Sequence, residues 1–587
     1  MPPRPSSRLR PAPTEPWLAA DRERGRWLRG VEPFAELRAQ QPADVPPLLA
    51  EAERLAAGGA WLIGLLSFEA VAAFAPLAGA LQRPRGDFPL AWFRAYRDVA
   101  WLPAPPRPTG CAEVGPLQPD WDYAAYQRRF DRTREYIAAG DIYQVNLTFP
   151  RRAAFAGDPY ALAHQLWSLA GPCYGAYIAD ERWAVGSSSP ELFFTRAGDW
   201  LTTRPMKGTR PRGRWPAEDD SLAEQLALSA KDRAENLMIV DLLRNDLGRI
   251  ATPGSVCVTE PFTLEAYPTV WQQTTTVRAR SGVSLADAFA ALFPCASVIG
   301  APKYRALQII GELEPTPRNA YCGAIGWVGP GRQASFGVAI RTAQIDRGTG
   351  TLRFDTGSGL VWDSTAVDEY AECAQKAAVL TASRELFDLL ETLRWRPGEG
   401  YFLLDAHLDR LRDSAAMLSF VFDWSTIAGA LDAAAHGWST AQRVRLTLTA
   451  LGRPTATAAP LAPLPAPYTA RLAPTAVDPA DRSLYHKTTA RARYDAARAA
   501  ADASDALLHN TAGDATEFTI GNLVFERDGQ RYTPPLRCGL LPGVYRAHLL
   551  ATGAVHQAPL RVDEIEAVDR LWMVNAVREW VPVTWLG

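Results

Sequence analysis

The pattern of the sequence changes at Glu385, and this change constrains the fold more than any other feature. A chain of 587 residues is too long for one ordinary hydrophobic core, so more than one domain is expected. We therefore predict one domain over residues 1–384 and a second over residues 385–587. From Glu385 onward, the pattern predicts a helix, a turn at Pro397 and Gly398, a strand and an amphipathic helix.

Composition limits the class of protein. The chain is 47% hydrophobic and 21% charged, with a formal net charge of −2. These values indicate a globular protein and argue against a nucleic-acid binder or a basic membrane-surface protein. The seven cysteines are scattered without metal-type pairs, as is typical of a reducing compartment. Residues 1–17 contain no apolar core that could serve as a signal peptide. We expect a cytoplasmic protein with no nucleic-acid or membrane partner.

One apolar stretch, from Trp61 to Leu81, is nearly long enough to cross a membrane. However, Glu69 lies near its middle, and Pro76 would break a helix there. A buried strand over residues 61–68 followed by a short helix explains the pattern better.

Other patterns predict the framework of the fold. Residues 121–140 have helical periodicity that ends at Gly140, and an alternating strand follows over residues 142–149. Three further strands are predicted at residues 174–178, 183–186 and 192–195. The Ala- and Pro-rich stretch over residues 454–468 is predicted to be a loop.

A short basic stretch, Thr203–Gly213, reads TRPMKGTRPRG and contains Lys207. The arginines close to this lysine in sequence are Arg204, Arg210, Arg212 and Arg214. Nearby positive charges disfavour the charged form of an amine, so a shielded Lys207 would be nucleophilic. The same residues also suit a solvated basic loop, because short basic patterns have many chance matches.

Longer motifs surround this stretch in a fixed order. They are GSSSPELFF (186–194), ENLMIVDLLRNDLGRI (235–250), FPCASVIGAPK (293–303), YCGAIGW (321–327), FGVAIRT (336–342), TGSGLVWDS (356–364) and DEYAECAQK (368–376). From about Trp61 to Lys376 the chain resembles the chorismate-utilising enzymes, which include anthranilate, isochorismate, salicylate and aminodeoxychorismate synthases. The resemblance implies the α/β sandwich fold of that family. Within it, a lysine at the third position of P-x-K-G-T marks aminodeoxychorismate synthases, whereas anthranilate synthases usually have alanine.

The resemblance implies roles for particular carboxylates. Glu191 matches the general acid/base at the 4-position of chorismate, which needs a raised pKa to give a proton to the departing hydroxyl. Glu235 and Glu372 match a pair that binds Mg²⁺, and the metal grips the ring carboxylate of chorismate. Glu369 is the alternative ligand if the alignment is displaced by one helical turn. Without the resemblance, each would be an ordinary surface glutamate.

Chorismate is a dianion, so its second carboxylate also needs a partner. Arg341 and the backbone N–H groups of residues 357–359 are the candidates, because glycine permits close backbone approach to an anion. The complete set of expected substrate-binding residues is Thr209, Gln272, Tyr321, Arg341, Gly357, Gly359 and Lys376.

The chain departs from the family pattern at two positions. Gln272 stands where histidine is common, and glutamine can donate a hydrogen bond but cannot titrate. Ile299 stands where threonine is usual. A mechanism with a histidine proton shuttle at position 272 is therefore in doubt, whereas Lys207 and Glu191 are retained.

From Glu385 to Gly587 the chain resembles the fold-type IV pyridoxal-phosphate enzymes, which have an α+β fold and include D-amino-acid aminotransferases and aminodeoxychorismate lyase. The motifs are VRLTLTA (444–450), SLYHKTTARARY (483–494), DATEFTIGNLVF (514–525), LLPGVYRAHLL (540–550) and VNAVREW (574–580). The resemblance implies that Lys487 bonds to the cofactor, that Glu517 pairs with its pyridine nitrogen, and that a helix N-terminus holds its phosphate.

The expected cofactor-binding residues of the second half are Arg445, Lys487, Tyr494, Glu517, Gly543, Val544 and Tyr545. Arg445 is expected to contact the phosphate, and Tyr494 lies two helical turns after Lys487. Tyr545 and Ala576 replace the usual threonine and serine, so hydroxyl contacts expected near the phosphate are in doubt.

Together the two resemblances imply one route. The first domain would convert chorismate and ammonia to 4-amino-4-deoxychorismate, and the second would convert that product to 4-aminobenzoate and pyruvate for folate precursor biosynthesis. No G-x-C-x-G nucleophile motif with a downstream His-Glu pair occurs in the sequence. Ammonia is therefore expected from a separate glutamine amidotransferase subunit.

Two other interpretations stay open. One is an anthranilate or isochorismate/salicylate synthase fused to an aminotransferase, against which Lys207 argues. The other is a non-catalytic regulatory subunit that binds chorismate or the amidotransferase. A homodimer through the second domain is also left open by the sequence.

Overall fold

The computed structural model describes residues 17–74, 77–81, 86–170, 173–380, 387–450 and 452–587. The chain forms two compact units. The first comprises Met1–Arg210 and Gln225–Ser383, and the second comprises Pro211–Glu224 and Arg384–Gly587. The segment Pro211–Glu224 therefore interrupts the first unit in sequence but clusters with the second. No helix among the described residues is long and apolar enough to cross a membrane.

The first unit is built on a network of antiparallel strands. Its described strands are β1 (Leu18–Asp21), β2 (Arg26–Ala39), β3 (Trp61–Leu66), β4 (Ala91–Leu102), β5 (Ala112–Val114), β6 (Gln118–Pro119), β7 (Gln144–Gly157), β8 (Tyr174–Ala179), β9 (Trp183–Ser189), β10 (Leu192–Ala197), β11 (Trp200–Arg204), β12 (Met206–Pro211), β13 (Cys257–Ala266), β14 (Val270–Arg280), β15 (Gly300–Ala301), β16 (Ala324–Gly329), β17 (Gln333–Val338), β18 (Thr342–Asp346) and β19 (Thr351–Leu360).

The pairings of these strands give one continuous order, β13-β14-β11-β10-β17-β16-β3-β4-β2-β1-β8-β9-β18-β19-β7. β12 also pairs with β14, and β5, β6 and β15 pair with β7. Successive side chains of a strand face opposite sides of the sheet. Each strand can therefore contribute one face to the core and the other to a helix layer or a site.

Helices cover this network. They are α1 (Val45–Ala57), α2 (Tyr123–Ala138), α3 (Pro159–Ala170), α5 (Ala230–Gly248), α6 (Leu285–Leu292), α7 (Lys303–Leu313) and α8 (Ala366–Ala377). The helix between α3 and α5, α4 (Pro216–Leu228), belongs to the second unit up to Glu224. Several begin at a side chain that accepts a hydrogen bond from a first-turn N–H, as Asp122 does for α2, Ser229 for α5 and Thr365 for α8. Such caps satisfy backbone donors that the helix itself leaves free, and so fix where each helix starts.

The largest apolar cluster of the first unit contains a group of phenylalanines. Phe194 of β10 lies 5.3 Å from Phe289 of α6 between ring centroids, in an edge-to-face arrangement. Phe289 lies 5.1 Å from Phe336 of β17 in the same way. These buried rings anchor β10 between a helix and a neighbouring strand, and therefore fix the position of Glu191, which directly precedes β10.

The second unit contains two sheets. Its described elements are β20 (Leu389–Arg396), β21 (Gly400–Tyr401), α9 (Leu404–Leu418), α10 (Trp424–Ala435), β22 (Gln442–Leu448), β23 (Pro454–Pro460), β24 (Tyr468–Leu472), α11 (Ala492–Ala500), β25 (Asp505–His509), β26 (Ala515–Phe518), β27 (Gly521–Arg527), β28 (Gln530–Thr533), α12 (Val544–Ala551), β29 (His556–Gln557), β30 (Arg570–Asn575) and β31 (Glu579–Trp585). One sheet has the order β21-β20-β22-β23, and the other has the order β26-β25-β24-β31-β30-β27-β28-β29.

The structure bears out most of the predicted framework. The apolar stretch at Trp61 forms β3 followed by the 3₁₀ helix Phe68–Ala73, while Pro76 lies outside the described residues. The predicted helix over residues 121–140 is α2, and Gly140 follows it with a φ of +78°. The strand after it begins at Gln144, and the three further predicted strands are β8, β9 and β10.

The helix expected at the start of the second half is wrong. Residues 381–386 lie outside the described residues, and Leu389–Arg396 forms a strand. Leu389 and Leu393 lie on the same face of the strand, which packs against α9. Between them, Glu391 contacts side chains of the same helix. A short, mostly apolar run fits either element by periodicity, so only its partners decide.

The loop predicted over residues 454–468 is wrong in its first half, which forms β23. β23 lies at the edge of its sheet. An edge strand tolerates proline because one side of its backbone needs no partner strand. Composition alone does not reveal this, because it does not show where in a sheet a segment lies.

A buried ion pair ties β7 to the turn before β15. The side chains of Arg318 and Glu314 are 1% and 2% exposed, and their charged atoms lie 2.7 Å apart. Arg318 also donates hydrogen bonds to the carbonyl oxygens of Val298 and Asn146. The guanidinium thus holds three separate parts of the chain together.

Replacing Arg318 with methionine should lower the free energy of unfolding of the first unit by about 3–5 kcal/mol, because Glu314 would stay buried without its cationic partner. Urea unfolding followed by tryptophan fluorescence measures the change. Arg244→Ala, which breaks an exposed pair with Asp241, is the control and should cost less than about 1 kcal/mol. Equal costs for both variants would contradict the expectation.

Candidate active sites

The first candidate site contains a buried carboxyl group at the start of β10. Glu191 is 5% exposed, and its Oε1 accepts a hydrogen bond of 2.6 Å from the hydroxyl of Ser297. Burial raises the pKa of Glu191 to about 7, while the Ser297 hydrogen bond and the charge of Lys207 act in the opposite direction. Glu191 is therefore not a surface residue. It can carry a proton near neutral pH, as a general acid must.

Lys207 lies on β12 beside a glutamate of α5. Its Nζ is 3.4 Å from Oε2 of Glu235, and the two side chains are 26% and 31% exposed. The next residue, Gly208, has a φ of +97°, and a Cβ there would lie 3.1 Å from Asp232. The turn of the backbone after Lys207 therefore favours glycine. Lys207 thus contacts Glu235 directly and lies close enough to Glu191 to affect its pKa.

Each of the four arginines near Lys207 in sequence has a carboxylate partner. The pairs are Arg204 with Glu260 and Glu265, Arg210 with Asp232, Arg212 with Asp219, and Arg214 with Glu218. Arg212 and Arg214 also belong to the second unit. The structure therefore corrects the expectation that these arginines act together on Lys207, since their charges are balanced locally.

A polar group on β14 and α5 supports the Lys207 strand. The hydroxyl of Thr209 donates to Oε1 of Gln272 at 3.0 Å, which brings two expected substrate-binding residues together. On the opposite face of β14, Asn236 is fully buried and accepts a hydrogen bond of 2.6 Å from Thr275. Its amide also lies 3.5 Å from the carbonyl oxygen of Lys207. The sequence analysis did not single out Asn236, although it directly follows Glu235.

The second expected metal ligand lies on α8. Glu372 forms an ion pair of 2.6 Å with Lys376, one turn along the same helix. Lys376 also donates to the carbonyl oxygen of Gly357 at 2.9 Å. The alternative ligand, Glu369, instead accepts a hydrogen bond of 2.6 Å from Ser364, just before the helix. Of these two carboxylates, Glu372 is the one held next to other expected site residues.

The donor set fits Mg²⁺. Glu235 and Glu372 offer carboxylate oxygens, the ligands that Mg²⁺ prefers, and both side chains reach solvent. Each has a lysine ammonium against it, so a cation already balances each negative charge. No group of three or more His, Cys, Asp or Glu side chains is placed to hold a metal within the described ranges. Water and substrate oxygens would have to complete the coordination.

The remaining expected substrate-binding residues lie on different parts of the first unit. Arg341 has a φ of +50°, and its guanidinium has no hydrogen bond or ion pair within the part of the chain that the structure describes. Burial lowers the pKa of Arg341 and raises the pKa of Tyr321. Gly357 and Gly359 lie in β19, paired with β7. They are therefore part of a regular strand, and they do not form a separate anion-binding loop.

The second candidate site surrounds Lys487, in the turn after the 3₁₀ helix Arg482–Tyr485. The carbonyl oxygen of Lys487 accepts a hydrogen bond of 2.9 Å from the N–H of Leu390 on β20. Burial lowers the pKa of the Lys487 amine to about 8. The charge of Arg410 acts in the same direction, and that of Glu391 opposes it. An amine with such a pKa is partly neutral near pH 8, as a nucleophile requires.

A buried carboxyl group lies close to Lys487. Glu517 is 5% exposed, and it accepts hydrogen bonds of 3.2 Å from the hydroxyl of Tyr494 and from the amide of Asn522. Burial raises the pKa of Glu517 to about 7. The structure therefore brings together three residues that the sequence analysis expected at one cofactor site: Lys487, Tyr494 and Glu517.

The expected phosphate site is the N-terminus of α12. Gly543 is its N-cap, and a Cβ at this position would lie 1.9 Å from Oδ1 of Asn522, so only glycine fits. The N–H groups of Val544 and Tyr545 belong to the first turn and have no partner within the helix. The Tyr545 ring is buried in an apolar cluster that includes Ala576. Tyr545 can therefore contribute its backbone N–H but not its hydroxyl.

Arg410, which the sequence analysis missed, lies beside the expected phosphate site. Arg445 lies on the exposed face of β22, and the structure does not bring it together with Lys487. Arg410 of α9 pairs with buried Glu391 at 2.5 Å and donates to the carbonyl oxygen of Pro542, next to the N-terminus of α12. The signal in the sequence was a pair of polar residues, His407 and Arg410, on the inner side of an amphipathic helix.

These residues fit pyridoxal phosphate. They provide a lysine of lowered pKa, a buried carboxyl group for a protonated ring nitrogen, and a helix N-terminus with an adjacent arginine for a phosphate. Gly543 adds no side chain of its own at that terminus, and Oδ1 of Asn522 occupies the space that a Cβ would take.

Comparison with known proteins decides the family. Residues 14–382 match the family described as chorismate binding enzyme, which is more than half of the chain. The chain belongs to the chorismate binding enzyme family. Residues 388–586 match the family described as amino-transferase class IV. The expected order, a chorismate-utilising domain followed by a fold-type IV domain, is therefore confirmed.

Similar proteins match the first of these regions. An aminodeoxychorismate synthase component 1 from Klebsiella aerogenes is 42% identical over 285 residues, which cover 47% of this chain and 62% of that protein. An anthranilate synthase component 1 from Methanothermobacter thermautotrophicus is 37% identical over 281 residues, which cover 48% of this chain and 60% of that protein. The chain thus spans less than two thirds of the length of either relative.

A solved structure supports the fold of the first unit. Anthranilate synthase component I from Streptococcus pneumoniae TIGR4 is 21% identical, with a TM-score of 0.53, over 65% of this chain and 95% of that one. At this identity the likeness concerns the fold alone. It confirms the α/β sandwich expected for this unit.

Glu191→Gln should make the protein more stable than the wild type above pH 7, because Gln carries no charge to bury. The folded-state pKa of Glu191 is raised from about 4.5 to about 7. The folded state therefore holds a proton that the unfolded state has lost between these values, and stability falls as pH rises through this window. Thermal unfolding of both proteins from pH 4 to pH 8.5 measures the difference, which should grow with pH. A difference that does not change with pH would show that Glu191 is not shielded.

Proposed function

We propose that the first unit converts chorismate and ammonia to 4-amino-4-deoxychorismate, and that the second converts this product to 4-aminobenzoate and pyruvate, a folate precursor route. The observation that carries the first step is Lys207 near the buried Glu191, whose pKa is about 7. The relative named aminodeoxychorismate synthase component 1, 42% identical over its matched part, supports the same step.

Lys207 would act as the nucleophile of the first step. Its Nζ would bond to C2 of the chorismate ring while the bond from C4 to its hydroxyl breaks. Ammonia would then add at C4, and Lys207 would leave C2. Glu235, 3.4 Å from the amine, orients the lysine before the substrate binds. Asn236 adds to this by donating to the carbonyl oxygens of Lys207 on β12 and Gln273 on β14.

Glu191 would supply the proton that the departing 4-hydroxyl needs. Its raised pKa keeps it partly protonated at neutral pH. Ser297 fixes the orientation of the carboxyl group through Oε1, so Oε2 is the oxygen that would face the substrate. Gln272, which cannot titrate, would hold Thr209 in place and would not relay protons.

Carboxylate groups of chorismate would bind through charge. Glu235 and Glu372 would hold Mg²⁺, which when bound supplies positive charge against the ring carboxylate. Arg341 would bind the second carboxylate, since its guanidinium has no hydrogen bond or ion pair within the described residues. Lys376, beside Glu372 and Gly357, would add positive charge to the same region.

Lys487 would hold the cofactor of the second step and move the proton next to the substrate amine. Pyridoxal phosphate, when bound, supplies an electron sink. Glu517 would carry a hydrogen bond to the ring nitrogen, and Tyr494 and Asn522 hold Glu517 for this purpose. Arg410 and the N-terminus of α12 would bind the phosphate.

We infer a separate glutamine amidotransferase subunit as the source of ammonia, since the relative in Klebsiella aerogenes is named a component 1.

A cytoplasmic location is proposed from the cysteines, all seven of which are free thiols. A homodimer through the second unit remains part of the proposal. The competing function is anthranilate synthesis, because the relative from Methanothermobacter thermautotrophicus, named anthranilate synthase component 1, is 37% identical over a matched part of similar length.

Lys207→Ala should abolish aminodeoxychorismate formation from chorismate, Mg²⁺ and ammonium salt, because the covalent route needs an amine at this position. The variant should still release 4-aminobenzoate from supplied aminodeoxychorismate. Lys487→Ala should do the opposite and accumulate aminodeoxychorismate. Product identification by mass spectrometry separates these outcomes. An unchanged rate in Lys207→Ala, or anthranilate as the wild-type product, would overturn the first assignment.

Glu372→Gln should weaken Mg²⁺ dependence and chorismate binding together, by about tenfold or more, because the metal is proposed to bridge protein and substrate. The Mg²⁺ concentration for half-maximal rate and the KM for chorismate are the measurements. Glu369→Gln, one helical turn away and bonded to Ser364, is the matched control and should change neither by more than about twofold. The reverse result would move the metal ligand to Glu369.

A further inference from the structure

A segment that belongs to the first half by sequence is built into the second unit. Pro211–Glu224 lies within residues 14–382, which match the chorismate binding enzyme family. It nevertheless clusters with Arg384–Gly587. The segment follows β12, the strand of Lys207, and includes the first turns of α4.

Ion pairs within the segment give it a fixed shape. Arg212 and Asp219 are 4% and 6% exposed and lie 2.7 Å apart. The N–H of Gly213 donates to the same carboxylate at 2.7 Å, and a Cβ on Gly213 would lie 2.2 Å from the backbone nitrogen of Asp219. Arg214 pairs with Glu218 at 2.6 Å. The buried carboxylate of Asp219 thus accepts hydrogen bonds from both Arg212 and Gly213. A carboxylate held in this way orders the turn around it.

This ordered turn places Trp215 against Tyr485. Their ring centroids are 5.1 Å apart, at an interplanar angle of 41°. The guanidinium of Arg214 lies 4.7 Å from the Trp215 ring and 5.6 Å from the Tyr485 ring. Arg214 also donates to the carbonyl oxygen of Pro479, which accepts the hydroxyl of Tyr485 at 2.8 Å. Tyr485 is thus held on its ring face and at its hydroxyl.

Tyr485 is 1% exposed and lies two residues before Lys487. Because the two are joined by a single residue, the position of Tyr485 limits where the Lys487 backbone can lie. Trp215 packs against the apolar cluster that contains Tyr485 and that also has Tyr494 at its edge. The hydroxyl of Tyr494 donates to Glu517. Trp215 therefore packs against the cluster that contains Tyr485, close to Lys487 in sequence, and that borders Tyr494, which donates to Glu517.

We propose that Trp215, with Arg214 stacked on its ring, is a positioning residue for the cofactor lysine of the second unit. It acts through Tyr485 and does not itself touch the cofactor. The inference rests on the proposed function, because it requires that Lys487 holds pyridoxal phosphate. A segment of the chorismate-family sequence is then needed to complete the second site.

The test titrates full-length Trp215→Ala, Trp215→Phe and the wild type with pyridoxal phosphate. Visible absorbance gives the dissociation constant and the pH midpoint of the bound cofactor. Trp215→Ala should bind about three- to tenfold more weakly, the range expected for loss of one aromatic pair, with a shifted pH midpoint. Trp215→Phe should recover most of both. Trp424→Ala, a 43% exposed tryptophan of the same unit outside this cluster, should match the wild type.

Wild-type affinity and an unchanged pH midpoint in Trp215→Ala would overturn the inference. If the wild type itself does not bind pyridoxal phosphate, the proposed function of the second unit fails, and the inference fails with it. If Trp215→Ala does not fold, Arg214→Gln provides the test. The Arg214 side chain is 28% exposed, so replacing it disturbs the fold less. It should shift affinity and pH midpoint in the same direction by a smaller amount, and no shift would count against the inference.

Discussion

The buried ion pair between Arg318 and Glu314 supports the chemistry proposed for the first unit. Arg318 holds the carbonyl oxygen of Val298, the residue after Ser297, and Ser297 gives Glu191 its hydrogen bond. A charge costs several kcal/mol to bury, and a well-formed pair offsets this only in a fixed geometry. The pair therefore keeps the turn over Glu191 in one arrangement. In that arrangement Glu191 is 5% exposed, and burial raises its pKa.

In both candidate sites, burial shifts the pKa of a lysine or a carboxyl group toward neutral pH. Burial raises the pKa of Glu191 and of Glu517 to about 7, and it lowers the pKa of Lys487 to about 8. Groups with such values are concentrated at functional sites, because the charged and neutral forms are both accessible there. Burial thus shifts the pKa of a buried group in both of these unrelated folds, although the chemistry proposed for them differs.

The two family regions of the chain do not coincide with its two compact units. Residues 14–382 match one family, yet Pro211–Glu224 from that region packs in the second unit. The Arg212–Asp219 pair and the contact of Trp215 with Tyr485 explain why, since the segment has its own buried ion pair and apolar partner there.

The sequence by itself determined the two families and most strands of the first unit, and it picked out Lys207, Glu191, Lys487 and Glu517 as candidates, because long motifs and strict alternation are local signals. Tertiary structure decided what depends on distant partners. It made residues 389–396 a strand, balanced the arginines around Lys207 with carboxylates, and placed Arg410 next to the expected phosphate site. It also decided the burial that sets each pKa. Burial and charge pairing arise from segments far apart in the chain, and no local pattern encodes which segments will meet.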